Sequence, residues 1–260
     1  IRDWVILATV AIVSTLALWI PSGMRTIYQN FDGPYYMVVA QSWYDKATIG
    51  KLFSFPTKLE YYPAHFPLYP MLMKPLDRLG LPRAMVLINL VATIACAIVL
   101  YEIVRIRSWG NPLWVSLIWL FFWPRMWVVR SVGSPETLFI LFILLSLHWF
   151  DLKKYWWAAI AGSLAVLTKS PGILLFPTFL VTGRFNWRTW PILLIPVSLL
   201  LLFTVYSYRV GDFWAYFNSG DNIHLQALPF KIFDSNQSWV GTFWLEDVIW
   251  IYVIAGLGVY

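Results

Sequence analysis

The chain has 260 residues, 60% hydrophobic and only 12% charged, with a net charge of +6. A soluble domain is about half apolar and a quarter charged, so a water-soluble globular fold is excluded and most of the solvent is lipid. No Lys/Arg-rich block is present, which sets nucleic acid aside as a partner. The single cysteine, Cys96, rules out a disulfide scaffold or a zinc site within the chain.

A spanning helix needs about 20 apolar residues. In chain order the candidates are 4–20, 84–104, 112–123 with its continuation, 135–150 and 190–208, with 248–260 as the start of a further span. The 17 tryptophans fit anchors at the membrane–water interfaces. The first segment lacks a small-residue cleavage site followed by a soluble domain, so it is read as an anchor and not a signal peptide. Ile1 and Tyr260 are read as the ends of a fragment that lacks C-terminal spans, and 1–260 as one transmembrane domain.

Two shorter apolar runs, 155–167 and 171–182, flank Thr168-Lys169-Ser170. Lys153 and Lys154 precede the pair and Arg184 and Arg188 follow it, so both outer flanks are expected to be cytoplasmic. The two runs then form a hairpin with Lys169 at or near the opposite face. Arg2, Arg105 and Arg107 join the cytoplasmic side. Alternation puts 21–83, 124–134, 168–170 and 209–247 on the far side, with Arg125 and Arg130 as exceptions to the charge rule. No internal repeat is present, so a repeat-built transporter gains no support.

The long early loop, 21–83, carries two expected interfacial helices. Over 34–44, Tyr35, Tyr36, Val39, Ala40 and Trp43 share a helical face, with Gln41, Ser42 and Asp45 off it. Over 66–79 one side is apolar, with Pro67 and Pro70 as first-turn residues. The Pro-rich stretch 61–67 between them is expected to be a stiff turn.

A few polar residues stand out in this apolar background. Asp32, in Asn30-Phe31-Asp32-Gly33-Pro34, is either a turn or helix cap or a general base whose apolar surroundings raise its pKa. His65 is either a hydrogen-bonded structural residue or an anion ligand or acid/base partner facing the same cavity as Asp32. Arg130 and Glu136 bracket Ser131-Val132-Gly133-Ser134-Pro135. Ser134 fits a cap, and Glu136 an early-turn acid, but no structural reason accounts for Arg130. Lys169 at a hairpin tip is either a snorkelling side chain or a functional charge. Together Arg130 and Lys169 would make a phosphate site. Over 210–217 a short aromatic helix follows a Gly-Asp turn, and Glu246-Asp247 caps the last span. Paired histidines, CxxC, Walker and GxGxxG signatures are absent, so no metal or other cofactor is expected.

The ordered series Phe31-Asp32-Gly33-Pro34-Tyr35-Tyr36, Tyr62-Pro63-Ala64-His65-Phe66-Pro67, Ser134-Pro135-Glu136-Thr137, Leu167-Thr168-Lys169-Ser170-Pro171-Gly172 and Gly211-Asp212-Phe213-Trp214 resembles the GT-C superfamily of integral-membrane glycosyltransferases. The resemblance is nearest to the GPI second-mannose transferase group and its prokaryotic relatives. That family usually has Trp-Asp where this chain has Phe31-Asp32, and arginine where it has Lys169. The first-loop carboxylate pair of many relatives is absent. The resemblance implies an all-α polytopic GT-C core and inverting transfer of a mannose-like hexose, on the extracytoplasmic side. The donor would be a polyprenyl-phosphate sugar, and the acceptor a hydroxyl on a lipid, glycan or protein. Asp32 would be the base, and Lys169, Arg130 and His65 would bind the donor phosphate. Glu136, Tyr35 and Tyr62 would support them.

Two rivals are weighed beside it. A transporter or flippase of a lipid-linked or small anionic substrate would hold its charges at mid-membrane in broken helices. A scaffolding subunit would have no reason to gather Asp32, Arg130, Glu136 and Lys169 at one face.

Overall fold

The computed structural model describes residues 1–54, 57–122, 124–184 and 186–219, and among these every regular element is helical. The expected last span and the Glu246-Asp247 cap lie outside the described residues. The helices are α1 (Arg2–Ser22), α2 (Met24–Gln29), α3 (Gly33–Ser42), α4 (Lys46–Leu52), α5 (Leu68–Met73), α6 (Leu81–Arg107) and α7 (Pro112–Phe121). They continue with α8 (Pro124–Val129), α9 (Glu136–Asp151), α10 (Tyr155–Thr168), α11 (Leu175–Thr182), α12 (Leu194–Val210) and α13 (Ala215–Asn218). Four 3₁₀ segments, Leu59–Ala64, Lys74–Leu79, Ser170–Leu174 and Trp187–Leu193, stand between them.

Three helical stretches are long and apolar enough to cross a membrane: Arg2–Ser22, Leu81–Arg107 and Trp187–Val210. Their ends follow local chemistry. The longest, α6, starts behind Gly80 (φ 86°) with Pro82 in its first turn, and it closes with Arg105 and Arg107 in its last. Helix α12 stops at Gly211, which takes the left-handed conformation (φ 82°) that a side chain would resist.

Side-chain bonds define two ends of the bundle. At one, Tyr101 Oη donates to Asp3 (2.9 Å), Trp4 Nε1 donates to Glu102 (3.0 Å), and Arg107 pairs with Asp151. This basic end joins the start of α1 to the ends of α6 and α9. Exposed tryptophans cluster in the same stretches, at Trp4, Trp109, Trp156, Trp157, Trp187 and Trp190. At the other end, Trp19 Nε1 donates to the Ser131 carbonyl (2.7 Å) and Tyr69 Oη to the Met85 carbonyl (2.9 Å).

Small residues let the middle helices approach. Ala158, Ala161, Gly162 and Ala165 form the buried face of α10. A Cβ on Gly162 would stand 2.6 Å from Ile195 of α12 and 3.1 Å from Ser146 of α9, so α10 sits tightly between them. The expected hairpin forms: the chain turns at Lys169, and Gly172 lies directly on the backbone of Ala165 and Val166. It returns to the basic end at Gly183, beside Phe150 at the end of α9. The expected span from 112 is built in two pieces. Leu120 of α7 packs with Leu7 and Ala11 of α1, and Trp127 of α8 then donates to the Ser14 carbonyl (2.9 Å).

The long early loop departs from the expected picture. Helix α3 buries Tyr36, Val38, Val39, Ala40 and Ser42, whereas Tyr35 and Trp43 are only half-buried. It is covered on two sides, not one: Tyr36 and Ala40 pack with α5 and α6, and Val38 and Val39 with residues of α12. A single-face periodicity could not report the second contact. The expected helix over 66–79 is α5 followed by a 3₁₀ turn from Lys74, and the stiff stretch at 61–67 is largely the 3₁₀ segment ending at Ala64.

Candidate functional site

The site is built where two glycine-bearing loops touch. A Cβ placed on Gly133 would lie 2.7 Å from the Cα of Gly33 and 2.2 Å from Met85 Sδ. Any larger residue would push the loops apart, so the glycines allow the backbone beside Asp32 to meet the backbone beside Ser134.

Asp32 sits at the start of α3, and its carbonyl accepts from the N–H groups of Tyr35 (3.0 Å) and Tyr36 (3.2 Å). Its carboxylate makes no capping bond to the helix. Phe31 before it holds a left-handed conformation (φ 53°), uncommon for a residue with a Cβ. Asp32 is exposed and not enclosed by apolar groups as expected. Burial first, then the nearby carboxylates of Glu136 and Asp32, holds the Tyr36 phenol well above its ordinary pKa. Tyr36 is therefore a protonated hydroxyl within electrostatic reach of both acids.

Glu136 opens α9 and Lys169 closes α10, and the antiparallel packing of these helices brings them together. Glu136 Oε1 accepts from Lys169 Nζ at 2.7 Å, and Oε2 accepts from Ser134 Oγ. Ser134 is thus not the backbone cap that the sequence suggests; Pro135 takes the cap position. Next to the lysine, Ser170 Oγ and Tyr216 Oη are 2.7 Å apart, which ties α13 to the same corner. The pair is recessed. Cys96 Sγ bonds the Thr137 carbonyl (3.4 Å), which sets the first turn of α9 about 22 Å along α6 from Leu81 at the ordinary helical rise. Helices α9 and α10 are shorter than α6, and the ends that carry Glu136 and Lys169 stop short of its start at Leu81.

His65 faces the same cluster, but as a neutral group. Its ring stands 4.9 Å from Tyr36, 5.0 Å from Tyr61 and 5.2 Å from Tyr35. Burial pushes its pKa down to about 4; the carbonyls of Tyr62 and Tyr61 oppose this, and the charge of Lys169 adds to it. A neutral imidazole brings no positive charge to a phosphate and could bind one only by donating a ring N–H. Its Nδ1 has no hydrogen-bond partner. The segment is pinned by hydroxyls: Tyr44 donates to the His65 carbonyl (2.7 Å) and Tyr206 to the Pro63 carbonyl (2.9 Å). Tyr35 and Tyr62 line this aromatic cage, their rings 6.0 Å apart.

Arg130 is the residue that does not join. Its side chain is 2% exposed and donates to Ser14 Oγ (2.8 Å) and Thr15 Oγ1 (3.1 Å) of α1. The two hydroxyls of α1 receive the guanidinium while Lys169 pairs with Glu136, so the structure does not bring Arg130 and Lys169 together as the expected phosphate clamp. The pairing of Arg130 with α1 spans 116 residues, and no local pattern announces it.

Beside the site runs an apolar cleft of about 400 Å³, lined by Leu72, Pro75 and Leu76 of the early loop, Leu87 and Val91 of α6, and Leu138 and Leu141 of α9. Leu138 and Leu141 share a face of α9 that Glu136, two positions before Leu138, does not, and the cleft is lined by none of Asp32, Tyr36, His65, Glu136 and Lys169. Sequence reasoning missed the cleft, the central position of Tyr36 and the Gly33–Gly133 contact. The glycine next to each polar motif was the one available signal for the last. Comparison of the chain with protein-family models, with characterised proteins and with solved structures finds no match in any of the three.

Proposed function

We propose that this is a multi-pass membrane glycosyltransferase of GT-C type that moves a mannose-like hexose from a polyprenyl-phosphate donor to an acceptor hydroxyl. The observation that carries the reading is convergence. Asp32, Tyr36, His65, Glu136 and Lys169 come from four separate stretches of chain and lie within contact or electrostatic reach of one another in an apolar bundle. A lipid-linked anion needs a cation next to a hydrocarbon surface, and the apolar bundle, with its cleft over α6 and α9, offers such a surface.

In this reading Asp32 takes the proton of the acceptor hydroxyl, which its exposed position lets a second substrate approach. The oxygen attacks the anomeric carbon from the face opposite the phosphate, and the bond from that carbon to the phosphate oxygen breaks. The leaving polyprenyl phosphate gains a negative charge, which Lys169 stabilises. The leaving group is a stable anion, so no general acid is required. Helices α3 and α5 wall the pocket and limit water. The basic end, with its tryptophans, would face the cytoplasm, and the site would open on the other side.

A transporter of an anionic substrate draws support from one feature, the buried Arg130 beside the interrupted α7–α8 span. Against it, the two terminal nitrogens of that guanidinium are already held by Ser14 and Thr15.

Incubating the purified protein with a panel of polyprenyl-phosphate sugars and candidate acceptors tests the proposal. Sugar transfer with release of polyprenyl phosphate is expected, and its loss in Asp32→Asn. Absence of any transfer, together with vectorial uptake of an anionic lipid in vesicles, would replace the enzyme by the transporter.

A further inference from the structure

Lys169 is already occupied. Its ammonium meets the Glu136 carboxylate at 2.7 Å, and the two side chains are 35% and 33% exposed. The other carboxylate oxygen is held by Ser134. A carboxylate and a phosphate offer the same kind of charged oxygen to an ammonium, and lysine binds either as a point charge. Two anions sharing one lysine would repel each other.

Resting on the reading of Lys169 as the phosphate-binding cation, we propose that Glu136 is a built-in competitor at that site, occupying the lysine until an alkyl phosphate displaces it. The structure supplies what the exchange needs. Ser134 can keep hold of one carboxylate oxygen during the swing. The start of α9 favours a negative charge. The buried Tyr36 lies within electrostatic reach of the Glu136 carboxylate.

The competitor sets a threshold. Phosphate-bearing lipids of the surrounding leaflet far outnumber any single carrier lipid. An internal competitor weakens every anion at Lys169 by the same factor. Headgroups that touch only the lysine then stay off, while a ligand that also buries a chain against the apolar bundle retains occupancy. The pair thus acts against weak, non-specific anions without any contact that recognises them.

Binding of farnesyl phosphate to the purified protein in detergent tests this, with farnesol as the uncharged probe of the same chain. Glu136→Gln is expected to bind farnesyl phosphate about three- to fivefold tighter, the worth of a partly exposed ion pair, with farnesol unchanged. Glu136→Asp should fall between wild type and Glu136→Gln. Lys169→Ala should lose the phosphate-dependent part, and adding Glu136→Gln to it should restore nothing. Equal or weaker binding in Glu136→Gln, with Lys169→Ala still impaired, would overturn the competitor and leave the phosphate site standing. Binding indifferent to Lys169 in every background would overturn both.

Discussion

Gly33 and Gly133, 100 positions apart, bring their α-carbons into contact against the sulfur of Met85. The contact is backbone on backbone, so it joins the Asp32 loop to the Glu136 loop without any flexible side chain between them. Gly133→Ala is expected to destabilise the protein by about 1–3 kcal/mol, the usual cost of overpacking, and to lower transfer activity with it. Met85→Ala should rescue only in part, because the Cα of Gly33 cannot move aside as the methionine can. Thermal unfolding in detergent checks both. A full rescue would locate the strain in the side chain alone.

Asp32→Asn tests the base. Asparagine keeps the size and polarity of this exposed side chain, so the substitution should leave thermal stability near wild type. It should reduce transfer by about 10²–10⁴-fold, the range for a lost general base. Donor binding should persist. Transfer near the wild-type rate would remove Asp32 from this role.

Lys169 and Arg130 should separate cleanly. Lys169→Ala is expected to weaken polyprenyl-phosphate sugar binding about tenfold or more, as for a lost charge-assisted hydrogen bond, with modest effect on folding. Arg130→Ala should do the reverse: unfolding temperature falls as the link from α8 to α1 is lost, while the KM for donor in the surviving fraction stays unchanged. A donor KM that rises in Arg130→Ala would return that residue to the substrate.

His65 sets an acid limit on stability. Its folded pKa, about 4, lies below the ordinary value of 6.5, so the unfolded chain binds the extra proton first. The contribution is complete above about pH 6.5 and is lost progressively as the pH falls through about 4, up to about 3 kcal/mol in total. His65→Gln, which cannot charge, should show a shallower loss of thermal stability between pH 6.5 and 4. An identical slope in the two proteins would mean that the imidazole is not enclosed as described.

Much was legible without coordinates. Apolar length marks the helices that can span, because hydrocarbon demands about 20 residues of it. Charge on the flanks of 155–182 marks the hairpin, because cations resist the bilayer core. Gly, Pro and turn residues mark where elements begin and stop. Asp32, Glu136 and Lys169 stand out for a similar reason: a polar group is conspicuous in a chain this apolar. Only the tertiary structure decided which of these charges meet. The sequence treats Arg130 and Lys169 as equals, yet one is drawn to the hydroxyls of α1 and the other to Glu136. Helix order and length settle that choice: α9 and α10 are antiparallel and end at the same level, whereas α8 runs beside α1. Periodicity describes one helix at a time and carries no term for its neighbours, so the second covered face of α3 and the neutral state of His65 appear only once the packing around them is complete.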